Sequence, residues 1–355
     1  MHRLKGCSEP SRVRRVRCAT VGRAPLSVAL LRRRVLTVVV AVVISACGSS
    51  PTAPGAPTDP ASAQIITSDL AHFWAAYDAG GKSGSASAFQ TRYLDVASPG
   101  LTDFIAKRTV TAASLAQMVQ AFPEYFASIR ASNLALATDV AIVSRIRANY
   151  GVIKTLYPAA TFPPLTLLVG RFSTGGTTSR SGLLVGSEFY STNAATPLHE
   201  LPPFQRDNVK HVDSLPIIVA HEHAHALQAQ AAGILNRANK TLLEQALIEG
   251  GADFIGERSS GGNINGRLWS VALPQESALW QEFKTAMLGT DISRWLYNQG
   301  TSTATPTRPG DLGYFIGYRI VEAYYLRQTD KAAALRAIIE MKDADDFLAR
   351  SGYSP

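Results

Sequence analysis

The run His221-Glu222-His223-Ala224-His225 constrains this chain more than any other feature. It sits in an apolar stretch, with Leu215-Pro216-Ile217-Ile218-Val219-Ala220 before it and Ala226-Leu227 after it. On a helix, residues four apart lie one turn above the other on one face. His221 and His225 then present two imidazoles to one point, where they can share a metal ion. Glu222 is offset by about 100° around the helix. That puts its carboxylate beside the same point, where it can take a proton from a metal-activated water. The pattern is short enough to arise by chance, so its surroundings must decide.

Asp213 and Ser214 are N-cap residue types and Pro216 suits a first helical turn, which predicts a helix from Leu215 to Gln230 that ends near Gly233. A second helix is predicted from Thr241 onward. Thr241 and Glu244 form a capping box, which gives Glu244 a structural role and leaves Glu249 as the third ligand. Asp253, four residues on, is placed to accept the outer ring N–H of a ligand histidine. Gly250 and Gly251 weaken this helix, which makes sense if it must approach the metal helix closely. Plainer readings stand beside these. His221 and His225 are then ordinary helix-face residues, Glu249 a cap or surface carboxylate, and Asp253 a solvated one. His223 points away from the His221/His225 face and reads as packing. His211 falls in a loop. Two histidines and a carboxylate also hold iron in some oxygenases. Those triads place the first histidine and the acid close together in a turn or strand, so the helical spacing favours zinc.

The pairing of this motif with a downstream Glu-x-x-x-Asp helix resembles the gluzincin metallopeptidases, the thermolysin-like clan. The short form Glu249-Gly250-Gly251-Ala252-Asp253 is similar to a family of predicted zinc-dependent proteases that includes bacterial lipoproteins. Two further stretches support the closer match: Gly175-Gly176-Thr177-Thr178 with Gly182-Leu183-Leu184-Val185-Gly186, and Gly313-Tyr314-Phe315-Ile316-Gly317-Tyr318-Arg319. The resemblance implies an α+β, mostly helical, zincin-like fold with a small mixed sheet beside an active-site helix pair. It implies Zn2+ on His221, His225 and Glu249, with Glu222 as general base, and a peptide or protein as substrate. An oxyanion partner is also needed. Tyr314 and Tyr318 are the expected catalytic donors, four apart on one helix face with Gly313 and Gly317 allowing close approach, and Arg319 follows them. In the gluzincin-like arrangement a strand before the metal helix lies at the sheet edge and binds extended peptide by strand addition. Leu183–Ser187 is the candidate, unless it is an ordinary internal strand.

The formal charge of +8 is misleading. Residues 1–46 carry ten of the 35 Lys and Arg but one of the 27 acidic residues, leaving 25 basic against 26 acidic. The basic balance therefore belongs to a leader and not to a nucleic-acid surface. Arg32-Arg33-Arg34, a short apolar run to Ile44, then Ser45-Ala46-Cys47 resembles a bacterial lipoprotein signal. Cleavage before Cys47 and lipid on its thiol are expected, with Cys47 as the membrane attachment. Gly48 follows, with no Asp to suggest inner-membrane retention. The expected location is thus the cell envelope, at the outer membrane facing the periplasm. Cys7 and Cys18 fall in the leader, so Cys47 stands alone in the mature chain and no intrachain disulfide is expected. Residues 47–63, rich in Pro, Ser, Thr and Ala, read as a flexible tether.

The expected domain spans 64–355, with a helical N-terminal part to 160 and a catalytic part after it. From Ile65 to Tyr157 the pattern is helical; Leu70, Phe73, Trp74 and Tyr77 recur at three and four and read as core. Leu165–Val169 and Leu183–Ser187 read as strands joined by a Gly-rich turn. From Pro274 onward the chain is helical again. Two other classes stay open: a binding or assembly lipoprotein with a structural metal site, and a non-peptidase amide hydrolase. An intact Glu222 argues against the first, because a structural site has no use for a base.

Overall fold

Short polar side chains start many of the helices. Ser98, Thr111, Asp139, Thr241, Asp330 and Asp343 each accept a bond from a backbone N–H of the turn they open, which satisfies donors a helix start leaves orphaned. The computed structural model describes residues 55–355. The leader expected at 1–46 and the lipidation expected at Cys47 lie outside the described residues. The described part of the expected tether is already fastened to the domain. The Phe162 N–H donates to Pro57 O at 2.8 Å, and the Arg147 guanidinium donates to the carbonyls of Pro60, Ala61 and Ala63.

The chain is α+β and mostly helical. Strand β1 (Ile65–Ile66) is followed by helices α1 (Ser68–Asp78), α2 (Ala86–Phe89), α3 (Pro99–Arg108), α4 (Ala112–Ala121), α5 (Pro123–Ala135) and α6 (Val140–Leu156). Then come β2 (Leu165–Leu168), β3 (Gly176–Ser179), β4 (Gly182–Gly186) and α7 (Pro203–Asn208). The C-terminal half holds α8 (Leu215–Gln230), α9 (Leu242–Ser260), α10 (Trp269–Ala272), α11 (Glu276–Ala286), α12 (Leu312–Arg327), α13 (Lys331–Ile339) and α14 (Ala344–Ser351). Among the described residues no single helix is long and apolar enough to cross a membrane.

The sheet runs β1-β2-β4-β3, with β1, β2 and β4 parallel and β3 antiparallel to β4. Two sequence expectations change here. Residues 176–179, read as a turn, form β3, because Thr177 and Thr178 are β-branched and suit a pleated strand. The reversal instead falls between Ser179 and Gly182, where Gly182 takes φ 112°. Consequently Leu183–Ser187 does not lie at the edge: Leu183 to Val185 pair with β2 on one side and β3 on the other. The edge beside α8 is β3.

Leu70, Phe73 and Trp74 of α1 are all but fully buried in an aromatic core with Phe89, Tyr93 and Phe126. The indole of Trp74 donates to Asn133 at 2.8 Å, so its polar edge is not left unpaired. Glu188, fully buried after β4, accepts from the backbone N–H groups of Gly170 and Phe172, both at 3.0 Å. Burial pushes this carboxyl up to about 7 even against those bonds. It fixes the loop after β2, where Phe172 sits at φ 55°.

Candidate metal centre

The helix expected from Leu215 to Gln230 has those ends. Its cap differs: Ser214 makes no side-chain capping bond, and Asp213 pairs with Arg145 at 2.8 Å. Pro216 sits in the first turn as expected. In α9 the capping box is complete, with Thr241 Oγ1 accepting from the Glu244 N–H and Glu244 accepting from the Thr241 N–H. Glu244 is therefore occupied at the helix start, and Glu249 lies further in, facing α8.

Three ligand atoms converge between the two helices. His225 Nε2 lies 3.1 Å from His221 Nε2 and 3.2 Å from Glu249 Oε2, and His221 Nε2 is 3.7 Å from that oxygen. Among the described residues this is the one group of its kind, and it is buried. The outer nitrogens show what the inner ones carry. His221 Nδ1 lies 2.8 Å from Asp253 Oδ1, and Asn265 Nδ2 donates to both oxygens of Asp253. His225 Nδ1 lies 2.8 Å from Gln228 Oε1. The amide nitrogen of Gln228 donates to Ile248 O at 3.0 Å, which fixes Oε1 as the atom facing His225. Each Nδ1 therefore donates, and in the neutral ring each Nε2 is a lone pair aimed at the other and at a carboxylate. Something positive must sit between them. A tetrahedral zinc with ligands at about 2.0–2.1 Å would separate its ligands by about 3.3 Å, close to the spacing present. The donor set fits a zinc ion.

The electrostatics agree. Burial works against charge on both histidines, yet Asp253 and Glu249 hold the His221 pKa well above the ordinary value, and Glu249 raises that of His225. Burial opposes ionisation of Glu249, but the two imidazoles outweigh it and keep this carboxylate far below its usual range. The pocket draws positive charge to one point, and a metal binding there displaces protons. Glu222 goes the other way. Burial raises its pKa against the pull of both histidines, and its Oε2 has no hydrogen-bond partner. Gly176 of β3 packs against its other end, where a Cβ would come within 2.4 Å of Oε1.

His223 points away from this group, as expected. Its Nε2 meets Thr161 O at 2.7 Å, and its ring packs between Tyr150 and Phe162. Tyr314 and Tyr318 part company. The Tyr314 ring faces His221, with centroids 6.4 Å apart and the planes inclined by 29°. Tyr318 is turned to Phe254 and Trp269, and burial and the Glu257 carboxylate push its phenol up. The two rings, one turn apart on α12, thus meet different neighbours. Arg319 is bound by Glu276 and Glu322. Three residues of the site escaped the sequence reading: Gln228, Asn265 and Tyr297. Gln228, three residues after His225 on the same face, had a signal in that spacing. Asn265 and Tyr297 lie outside periodic segments and had none.

A family model described as "Predicted Zn-dependent protease (DUF2268)" matches residues 203–345, less than half of the chain. That stretch contains α8, α9 and α12. No curated protein and no solved structure matches this chain.

Proposed function

We propose that this chain is a zinc-dependent peptide hydrolase. One observation carries the reading: the inner nitrogens of His221 and His225 and one oxygen of Glu249 meet beside a buried carboxylate, Glu222, whose Oε2 has no partner. The family description of residues 203–345 points the same way. Zinc held by His221, His225 and Glu249 supplies Lewis acidity, acidifying water and polarising a carbonyl. Asp253 and Gln228 keep both imidazoles in the tautomer that ligates. Glu222 takes the proton of the attacking water on Oε2 and returns it to the leaving amine. Its buried surroundings favour the proton it must hold in between. Tyr314, next to His221, is the candidate donor to the oxyanion.

Strand β3 offers an edge beside Glu222 for an extended peptide. Its Gly176 and Thr178 carbonyls accept from Thr174 Oγ1 at 2.6 Å and Lys107 Nζ at 2.8 Å, and each keeps a second lone pair. A lipid anchor on Cys47 belongs to the same proposal and rests on Ile44-Ser45-Ala46-Cys47. A Cys47→Ala protein that stays in the membrane fraction would remove it. The burial of all three ligands favours a second reading, a structural metal in a binding protein.

Elemental analysis and an unbiased peptide digest separate the two readings. Protein purified without added metal is expected to hold about one zinc per chain, and to lose it in a His225→Ala variant. It is expected to cleave a peptide mixture, with products read by mass spectrometry. Zinc without cleavage supports the structural reading, and a parent without zinc ends both.

A further inference from the structure

We propose that Tyr297 is the positioning residue of the metal ligand Glu249, holding that carboxylate to one-oxygen ligation. The inference rests on the zinc-site reading above. Glu249 divides its two oxygens. Oε2 faces the histidines, while Oε1 accepts a 2.5 Å hydrogen bond from the Tyr297 hydroxyl. A carboxylate with both oxygens free can chelate through both and fill the position a catalytic zinc keeps open. A phenol fixed on Oε1 blocks that swing.

The backbone around Tyr297 is organised to present this hydroxyl. Tyr297 adopts φ 53°, a left-handed conformation uncommon for a bulky side chain and retained where surrounding structure enforces it. The enforcement is visible. The Asn298 N–H donates to Asp311 Oδ1 at 3.0 Å, and the Asp311 N–H donates back to Asn298 Oδ1 at 2.7 Å. Asp311 is itself left-handed at φ 71° and is gripped by Arg267 at 2.8 Å. The preceding Trp295 and Leu296 are buried, and Trp295 O accepts from the Gly313 N–H at 2.7 Å. Tyr314 meets the Tyr297 ring edge-on, with centroids 6.1 Å apart. A ring needed only for packing would not require its hydroxyl on a buried carboxylate.

The test is Tyr297→Phe in the full chain, which keeps the ring and removes one oxygen. Zinc affinity, measured by chelator competition, is expected to fall about 10–100-fold. The visible bands of the cobalt-loaded protein should weaken as Glu249 closes through both oxygens. Melting of the metal-free protein should move little. In a Glu249→Gln background the same substitution should cost nothing further in zinc affinity, since the phenol acts through Glu249. Asn298→Ala, which loosens the turn without touching the ring, should weaken zinc in the same direction by less, and it serves if Tyr297→Phe does not fold. Unchanged affinity and unchanged cobalt bands in a zinc-binding parent overturn the role of Tyr297 alone. A parent that binds no zinc overturns the site reading and this inference together.

Discussion

A Glu222→Gln protein is expected to carry as much zinc as its parent and to hydrolyse peptides about 10²–10⁴-fold more slowly. The metal content should hold because Glu222 is not among the three converging ligands. The fold should hold because the amide is nearly isosteric and no hydrogen bond to Oε2 is lost. Burial already disfavours charge at this position, so the neutral amide should leave melting unchanged or raise it. Only the proton acceptor disappears. The check is kcat on any peptide the parent cleaves, with zinc content and melting measured on the same preparation. Full activity with full zinc would show that another group is the base. Loss of zinc alongside activity would mean that Glu222 shapes the ligand set.

The second large effect is structural. Gly317→Ala is expected to destabilise the protein by about 3–5 kcal/mol, beyond ordinary overpacking because backbone meets backbone. A Cβ on Gly317 would fall 1.7 Å from Ala246 O, and one on Gly250 would fall 2.1 Å from Tyr318 N. Neither obstacle is a side chain that can turn aside, so α9 and α12 would have to separate. Because Glu249 adjoins Gly250, that separation should also weaken zinc binding. Gly151→Ala in α6 is the control. Nothing lies within 4 Å of its added carbon, so helix propensity alone acts and the change should stabilise by up to about 1 kcal/mol. Denaturant melts of both variants settle the matter; equal effects at the two glycines would mean that the close crossing is wrong.

The sequence reading of Gly250 and Gly251 as a close approach to α8 holds for Gly251 and has the wrong partner for Gly250. Gly250 meets Gly317 of α12, whereas Gly251 and Gly256 face α8, with Cβ positions 3.3 Å from Gln228 Nε2 and 3.2 Å from the His221 N. What local chemistry writes was legible: the ends of α8, the Thr241–Glu244 box, and the His221/His225 pair one helical turn apart. These depend on neighbours within a few residues. What depends on distant pairing was not legible. Edge or interior status for Leu183–Gly186 is decided by whether residues 176–179 pair with it, and two glycines ahead of two threonines read equally well as a turn. Tyr314 and Tyr318 are four apart on α12, and their surroundings differ through residues distant in sequence, His221 and Tyr297 for the first, Phe254 and Trp269 for the second. Tyr297 is left-handed without being Gly or Asn, so no turn residue marks it. It lies in the long stretch between α11 and α12, where no hydrophobic period exists to be read.

His221, His225, Glu249 and Asp253 come from two consecutive helices, whereas Tyr297 and Tyr314 come from later in the chain. Bringing the ligands together therefore means closing a loop of about 30 residues, whose entropy cost grows only slowly with length. Such near-neighbour contacts form early relative to distant ones. During synthesis, which proceeds from the N-terminus, α8 and α9 emerge before Tyr297 and Tyr314. The His221, His225 and Glu249 cluster can thus be assembled by a helical hairpin, with Tyr297 and Tyr314 joining it afterward.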